Sequence, residues 1–468
     1  MNRAIWVLCW PVLVESYLNS FVGLVDTMLA ARIGEAASDA VGPGAYFMWF
    51  IGLIAMALGV GATALISRSV GKGRFATANA AVGQTVALSV VLGAVVGGLI
   101  YTLAPFIARM VGLSGEAEPA FVTYMRIVAI GVPASSVLFS GISCLRGAGD
   151  SMGPLRAMLL VNLVNLLVSW SLAGVTIDLG FGSLRPPFGF SMGLAGVAWG
   201  TVAAHTVGAI VILFLLTRDR GGVHLKRSRL LPHRVTIARL FRIGLPNFLE
   251  SLGMWFGNFL IVLFVGWIAS DIDRDGLFGA HIIAIRVEAF SFLPGFAMGT
   301  AVATLAGQYL GAGSPELARR AIWRTTLIGA GVMTLMGVLF ITIPGWITAR
   351  LTPVESHMDL VPPLLVICGL VQLPFGIALV VRSALRGAGD VKVVMIITWI
   401  TTYGVRLPLA YALSGVRIPL PDGTRLDNPF GFEPSLSGLW IGLCLELAVR
   451  GAIFAGRFLH GGWARVRV

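Results

Sequence analysis

Five carboxylates lie within runs that are otherwise apolar, namely Glu15, Asp26, Glu250, Glu288 and Glu446; the other 17 of the 22 acidic residues fall in connecting segments. An ionisable side chain inside a membrane span is costly, so each of the five is a candidate for function. Asp26 stands first. It lies about five residues from the outer end of its run, and the nearest base in sequence, Arg32, falls at the mouth. Asn165 and Ser169 in the fifth run and Thr201 in the sixth reach a similar depth, within about two turns at ~1.5 Å per residue. A carboxylate ringed by an amide and hydroxyls can hold a proton, because burial disfavours its charged form. It could equally offer oxygen ligands to a small cation, or simply hydrogen-bond a neighbouring helix. Pro11, 15 residues before Asp26, removes a helix hydrogen bond and is the candidate hinge of that span.

A second intramembrane set is Arg286, Glu288 and Arg406. Glu288 is expected to pair with an arginine, as a structural ion pair or in a transport role. Glu446 and Arg450, four apart on one helix, read as a local pair. Glu15 and Glu250 either line a central cavity and attract cationic substrate, or satisfy helix ends near Pro11 and Pro246. His205 and His281 are lone histidines on apolar helices, satisfied locally. Phe47, Met48, Trp49, Phe50, Met254, Trp255, Phe256 and Phe259 are the adaptable side chains that a loosely selective pocket uses, although most should face lipid or other helices.

The elements that hold these residues follow from hydropathy and repetition. A span needs about 20 apolar residues to cross ~30 Å of hydrocarbon. Twelve such runs occur, near 5–31, 42–66, 80–104, 120–143, 154–177, 191–216, 243–269, 277–305, 322–343, 360–381, 393–415 and 435–457. The first lacks a small-residue cleavage site and is expected to remain as a span. The sequence Arg-Gly-Ala-Gly-Asp ends at Asp150 and again at Asp390, an offset of 240, and Pro11 and Glu15 recur as Pro246 and Glu250, an offset of 235. Two copies of one six-span unit are predicted: a lobe over 1–217, a basic cytoplasmic linker over 218–242 that also suits anionic headgroups, and a second lobe over 243–468. Six is even, so the copies are parallel rather than inverted. The repeat is chemically unequal, since Arg406 falls where the first copy has Asn165.

Loop charge orients the chain. One set of alternate loops carries 19 Lys and Arg against four acids, the other seven Arg against 13 acids. The basic set is cytoplasmic by the positive-inside rule, and both termini with it. The chain is 57% hydrophobic and 12% charged, so its net charge of +12 reflects topology rather than nucleic-acid binding. Scattered cysteines, the lack of HExxH and the lack of an Asp pair at matching depth argue against a metal site or an intramembrane enzyme. Arg-Gly-Ala-Gly-Asp lacks the Lys-Ser/Thr of a phosphate loop and follows a helix, so it reads as a turn in which Arg146 and Asp150 pair or cap, or as a cytoplasmic gating contact.

Four motifs occur in order along essentially the whole chain. They are Val25-Asp26-Thr27, the doubled Leu-Arg-Gly-Ala-Gly-Asp, Arg286-Val-Glu288 with Pro294 and Gly307-Gln308, and Arg406-Leu-Pro408-Leu-Ala-Tyr411. In this the chain resembles the multidrug and toxic compound extrusion (MATE) transporters, most closely their DinF branch. The resemblance implies an all-α membrane protein, a V-shaped pair of six-helix lobes, that exports lipophilic, often cationic compounds by antiport with H⁺ or Na⁺. It also implies that Asp26 is the essential first-span aspartate and that Asn165 and Thr201 belong to its polar network. Ser169 departs from the branch's Asn-x-x-x-Asp and leaves one carboxylate, which favours a proton over Na⁺. No cofactor or metal is expected; the expected partners are a small-molecule substrate and lipid, with the protein a monomer in the bacterial inner membrane. The alternative is a flippase for a lipid-linked precursor, which usually has a cavity lined by several arginines and often extra spans.

Overall fold

Apolar runs without polar faces bury their backbone only as helices, because lipid satisfies no N–H or C=O group. A computed structural model describes residues 2–178, 183–186, 188, 190–219, 222–272, 276–352, 354–419 and 424–466, without the side chains of 45–51, 177, 178 and 184. Phe47, Met48, Trp49 and Phe50 therefore lie outside the described side chains. The first six spans are α1 (Asn2–Ile33), α2 (Glu35–Gly71), α3 (Phe75–Met110), α4 (Ala117–Ala148), α5 (Met152–Ala173) and α6 (Leu194–Thr217). There follow α7 (Arg234–Ile272), α8 (Leu277–Gly311), α9 (Pro315–Thr342) and a short α10 (Pro344–Leu351). The chain continues through α11 (Glu355–Leu370), α12 (Gln372–Gly387), α13 (Val391–Thr401), α14 (Leu407–Ser414) and α15 (Leu436–His460).

Among the described residues eleven helices, with α13–α14 counted as one, are long and apolar enough to span a bilayer, and α11 with α12 makes twelve when that bent pair counts as one span. The tenth span, expected to be continuous, is bent by 59° between Leu370 and Gln372. Pro374 explains the break, because its ring clashes with the carbonyl four residues back, at Leu370, and it cannot donate to it. The eleventh span is α13 and α14 joined by one π-helical turn, Thr402–Arg406.

The repeat is visible in small structures too. A two-stranded hairpin, β1 (Ile177–Asp178) with β2 (Ser183–Leu184), joins α5 to α6, and β3 (Ile418–Pro419) with β4 (Arg425–Leu426) joins α14 to α15. Both Arg-Gly-Ala-Gly-Asp segments end a helix in the same way. Gly149 (φ 95°) and Gly389 (φ 87°) are left-handed, and the Asp150 and Asp390 amides each donate to the leucine carbonyl five residues back. Only glycine adopts that backbone without strain. Close helix crossings repeat as well. A Cβ on Gly200 would press on the Ser169 backbone at 2.5 Å, and one on the equivalent Gly442 would lie 2.7 Å from the Ala410 amide.

The chain divides into two compact units, chiefly Trp6–Leu245 and chiefly Pro246–Leu310 with Ser314–Arg467. The basic stretch read as a linker belongs to the first. Gln84 on α3 donates to the carbonyls of Arg229 and Leu231 at 2.7 Å, and the His224 amide donates to Asn79 at 2.9 Å. The last part of that stretch, from Arg234, is already the start of α7. Apolar cores form around Ile142, Met158 and Ile212, around Phe121 and Met125, and in the second unit around Val265, Leu364 and Trp440.

Candidate functional site

Asp26 projects from α1 between α5 and α6 and is 5% exposed. Thr201 donates its hydroxyl to Asp26 Oδ2 at 2.6 Å, and Asn165 Nδ2 lies 3.2 Å from Asp26 Oδ1, Ser169 Oγ and Thr201 Oγ1. The four residues named from sequence thus form one buried network. Gly200 makes it possible, since only a residue without a side chain lets α6 approach α5 closely enough to bring Thr201 beside Asn165. No basic side chain pairs with Asp26 among the described residues. Asn165 Oδ1 is buried with no hydrogen-bond partner, which leaves a spare acceptor beside the carboxylate. Tyr124 on α4 is also within electrostatic reach of Asp26; sequence reading missed it, as nothing in its neighbours marks it.

The repeat-equivalent acids have a different role from the two expected. Glu15 does not offer a free charge to a cavity: Arg146 Nη2 holds its Oε2 at 2.6 Å. Glu250 is likewise held by Arg386 Nη2 at 2.7 Å and Nε at 3.2 Å, and by the Thr398 hydroxyl at 2.9 Å. Each arginine comes from the repeated turn, so the turn is tied to the first span of its own lobe. A buried carboxylate requires such a counter-charge. Asp150 accepts from the Gly153 amide at 2.8 Å and caps the start of α5, whereas Asp390 accepts from Arg457 Nη2 at 2.8 Å. At that turn burial pushes the Asp390 carboxyl above its usual range, and Arg457 opposes the shift.

The second intramembrane set is regrouped. Arg286 is exposed on α8, because residues two apart on a helix face different directions, and it does not join Glu288. Glu288 makes no direct ion pair among the described residues; the Cys368 thiol and the Arg406 guanidinium are the groups near it. Arg406 instead reaches Glu446 at 3.0 Å and Asn258 at 2.7 Å. Glu446 also holds Arg450 at 2.6 Å, so the local pair read from sequence is part of a triad. Arg450 is completed by the hydroxyls of Thr401, the last residue of α13, at 3.0 Å and Thr402, the first of the π turn, at 2.9 Å. Glu288, Arg406 and Arg450 all border a cavity of about 380 Å³ in this unit. Of the adaptable side chains named from sequence, Met254 lines it, while Phe256 and Phe259 are exposed. His205 bonds Ser135 at 2.8 Å and His281 bonds Trp440 at 3.1 Å.

The MatE family model matches residues 11–171 and 246–412, one match in each half. A probable multidrug resistance protein NorM of Thermotoga maritima is 26% identical over 464 residues, covering 98% of this chain and 92% of the relative. Multidrug resistance protein PmpM of Pseudomonas aeruginosa is 24% identical, covering 98% and 92%. Among solved structures, an outward-facing multidrug resistance MATE transporter matches with TM-score 0.84 at 20% identity, over 99% of this chain and 97% of that one.

Proposed function

Since the chain belongs to the MatE family of multi-pass membrane transporters, we propose that it is a secondary antiporter that exports lipophilic or cationic small molecules in exchange for a cation, by alternating access. The multidrug resistance names of relatives that align over nearly the whole chain support the substrate class, and they do not favour a lipid-precursor flippase. Placement in the DinF branch rests on Asp26, Asn165 and Thr201.

The observation that carries the coupling role is the Asp26 carboxylate, 5% exposed and, among the described residues, bonded only to neutral donors. An antiporter must make cation and substrate compete for one site or one conformation, since otherwise the gradient dissipates without work. A buried carboxylate without a basic partner does this. Charged, it attracts a cation; neutralised, it loses that attraction and its hydrogen bonds weaken, so α1 can repack against α5 and α6. A proton fits better than Na⁺, because the network holds one carboxylate and both of its oxygens already accept hydrogen bonds.

Purified protein in proteoliposomes, given an imposed ΔpH or Na⁺ gradient, tests this reading. Asp26→Asn keeps nearly the same volume and mimics the neutral form, so it should fold and lose gradient-driven export. Wild-type export by that variant would remove Asp26 from the mechanism and shift attention to Glu288.

A further inference from the structure

The second lobe carries, at the place equivalent to the Asp26 network, a site of opposite polarity. The repeat offset of 235 that relates Pro11 to Pro246 takes Asp26 to Ile261, and offsets of 241 and 242 take Asn165 to Arg406 and Thr201 to Leu443. All three replacements line the cavity of about 380 Å³. The acid has become apolar and the amide has become a guanidinium.

The charges around this cavity do not balance. Three guanidiniums (Arg382, Arg406, Arg450) and one carboxylate (Glu288) line it; off the lining, Glu446 engages Arg406 and Arg450 at 2.6–3.0 Å and Glu250 engages Arg386 at 2.7 Å. Arg382 is the guanidinium left over among them, and Glu288 the carboxylate without a direct ion pair among the described residues. The carboxylate oxygen nearest to Arg382, on Glu250, is 3.8 Å away, and the buried Arg382 Nε has no hydrogen-bond partner among the described residues. Arg382 Nη1 rests 3.3 Å from the Met254 sulfur, and Arg450 Nη1 lies 3.9 Å from the same atom. A thioether is a weak acceptor. Two guanidiniums thus converge on a spot that offers them little, beside apolar walls from Phe292, Phe375 and Trp440.

We propose that this cavity binds a small amphipathic organic anion, its acid group taken by Arg382 and Arg450 beside Met254 and its apolar body held by Phe292, Phe375 and Trp440. The site goes beyond the Asp26 reading, which concerns the other lobe. A carboxylate or sulfonate supplies the acceptors that Met254 cannot, and charge-assisted bonds to a fork of N–H donors are the strong kind. An aromatic or aliphatic body then displaces water from the remaining walls, as in pockets with a few convergent polar groups. A small ring acid suits a volume of about 380 Å³, whereas a whole phospholipid exceeds it.

Calorimetric titration of the protein in phosphatidylcholine nanodiscs provides the test, with 2-naphthoate, its neutral isostere 2-naphthamide, and 2-naphthylmethylammonium. Naphthoate should bind at least about tenfold more tightly than either. Arg382→Gln should remove that preference, and Met254→Glu, which supplies the missing carboxylate internally, should abolish naphthoate binding. Equal or tighter binding of the ammonium compound to the unmutated protein overturns the proposal, whatever the variants do. So does naphthoate binding that neither substitution changes. Nanodiscs with phosphatidylglycerol separate solute from lipid: unchanged affinity supports a small solute, and competition by the lipid overturns that choice. Binding is read without transport, so the result stands apart from the role of Asp26.

Discussion

Arg386 grips Glu250 through two nitrogens, at 2.7 and 3.2 Å, and thereby fastens the repeated Arg-Gly-Ala-Gly-Asp turn to the first span of the second lobe. Glu15 and Arg146 make the corresponding contact in the first lobe at 2.6 Å. An internal repeat has preserved the bond as well as the sequence. Both pairs are well buried, but Glu250 is held by three hydrogen bonds, two from Arg386 and one from Thr398, and Glu15 by one from Arg146. Removing one partner of a buried pair leaves an uncompensated charge, at about 3–5 kcal/mol. Glu250→Gln should therefore lower the thermal unfolding midpoint in detergent clearly more than Glu15→Gln. Equal midpoints for the two variants would contradict the greater weight assigned to the second-lobe pair.

Thr201 supplies the shortest hydrogen bond to Asp26, at 2.6 Å. Thr201→Val keeps the shape and removes that donor, and the loss of a buried hydrogen bond to a charged group costs about 1.5–3 kcal/mol. The expected result is a folded protein whose export per unit gradient falls, with a smaller defect than Asp26→Asn. Asn165→Ala should behave in the same direction. Export unchanged in both variants would mean that the network does not tune the acid.

Gly200 and Gly442 occupy matching crossings, one against Ser169 and the other against Ala410. A methyl group at either position meets backbone rather than a mobile side-chain tip, and overpacking typically costs about 1–3 kcal/mol. Gly200→Ala and Gly442→Ala should destabilise comparably. Only the first should also impair coupling, because it alone displaces Thr201 from Asp26. Transport assays normalised to folded protein distinguish the two.

Loop charge predicts which residues face the cytoplasm. Cysteines introduced at Ser228 and Ser314 should react with an impermeant maleimide from the cytoplasmic side alone, and one at Ser183 from the outer side alone. The four native cysteines are all buried, so background labelling should be low. Reversal at any one position breaks the twelve-span arrangement.

Pro11 lies within α1, and its missing N–H is the local weak point of a helix that carries both Glu15 and Asp26. If α1 flexes there during the cycle, Pro11→Ala should slow transport or alter its ion dependence while leaving the unfolding midpoint unchanged or higher. Unaltered kinetics in a stable variant would discard the hinge.

Much of this protein could be read from its sequence, because the relevant physics is local or statistical. A run of apolar residues must become a helix in lipid, a duplicated motif must mark a duplicated unit, and an acid in such a run must have a reason to be there. Asp26, Asn165, Ser169 and Thr201 came together on those grounds, since their depths follow from counting residues along straight helices. Tertiary structure decided the rest. Whether Arg406 would reach Glu288 or Glu446, and whether Glu15 and Glu250 would face a cavity or an arginine, depends on how each helix is rotated about its axis. The partners that settle this lie 131 and 136 residues away for Glu15 and Glu250. Rotation is fixed by glycine contacts, the π turn at Thr402–Arg406 and the break at Val371, which displace side chains by fractions of a turn. Hydropathy averages over such displacements, and only packed helices reveal them.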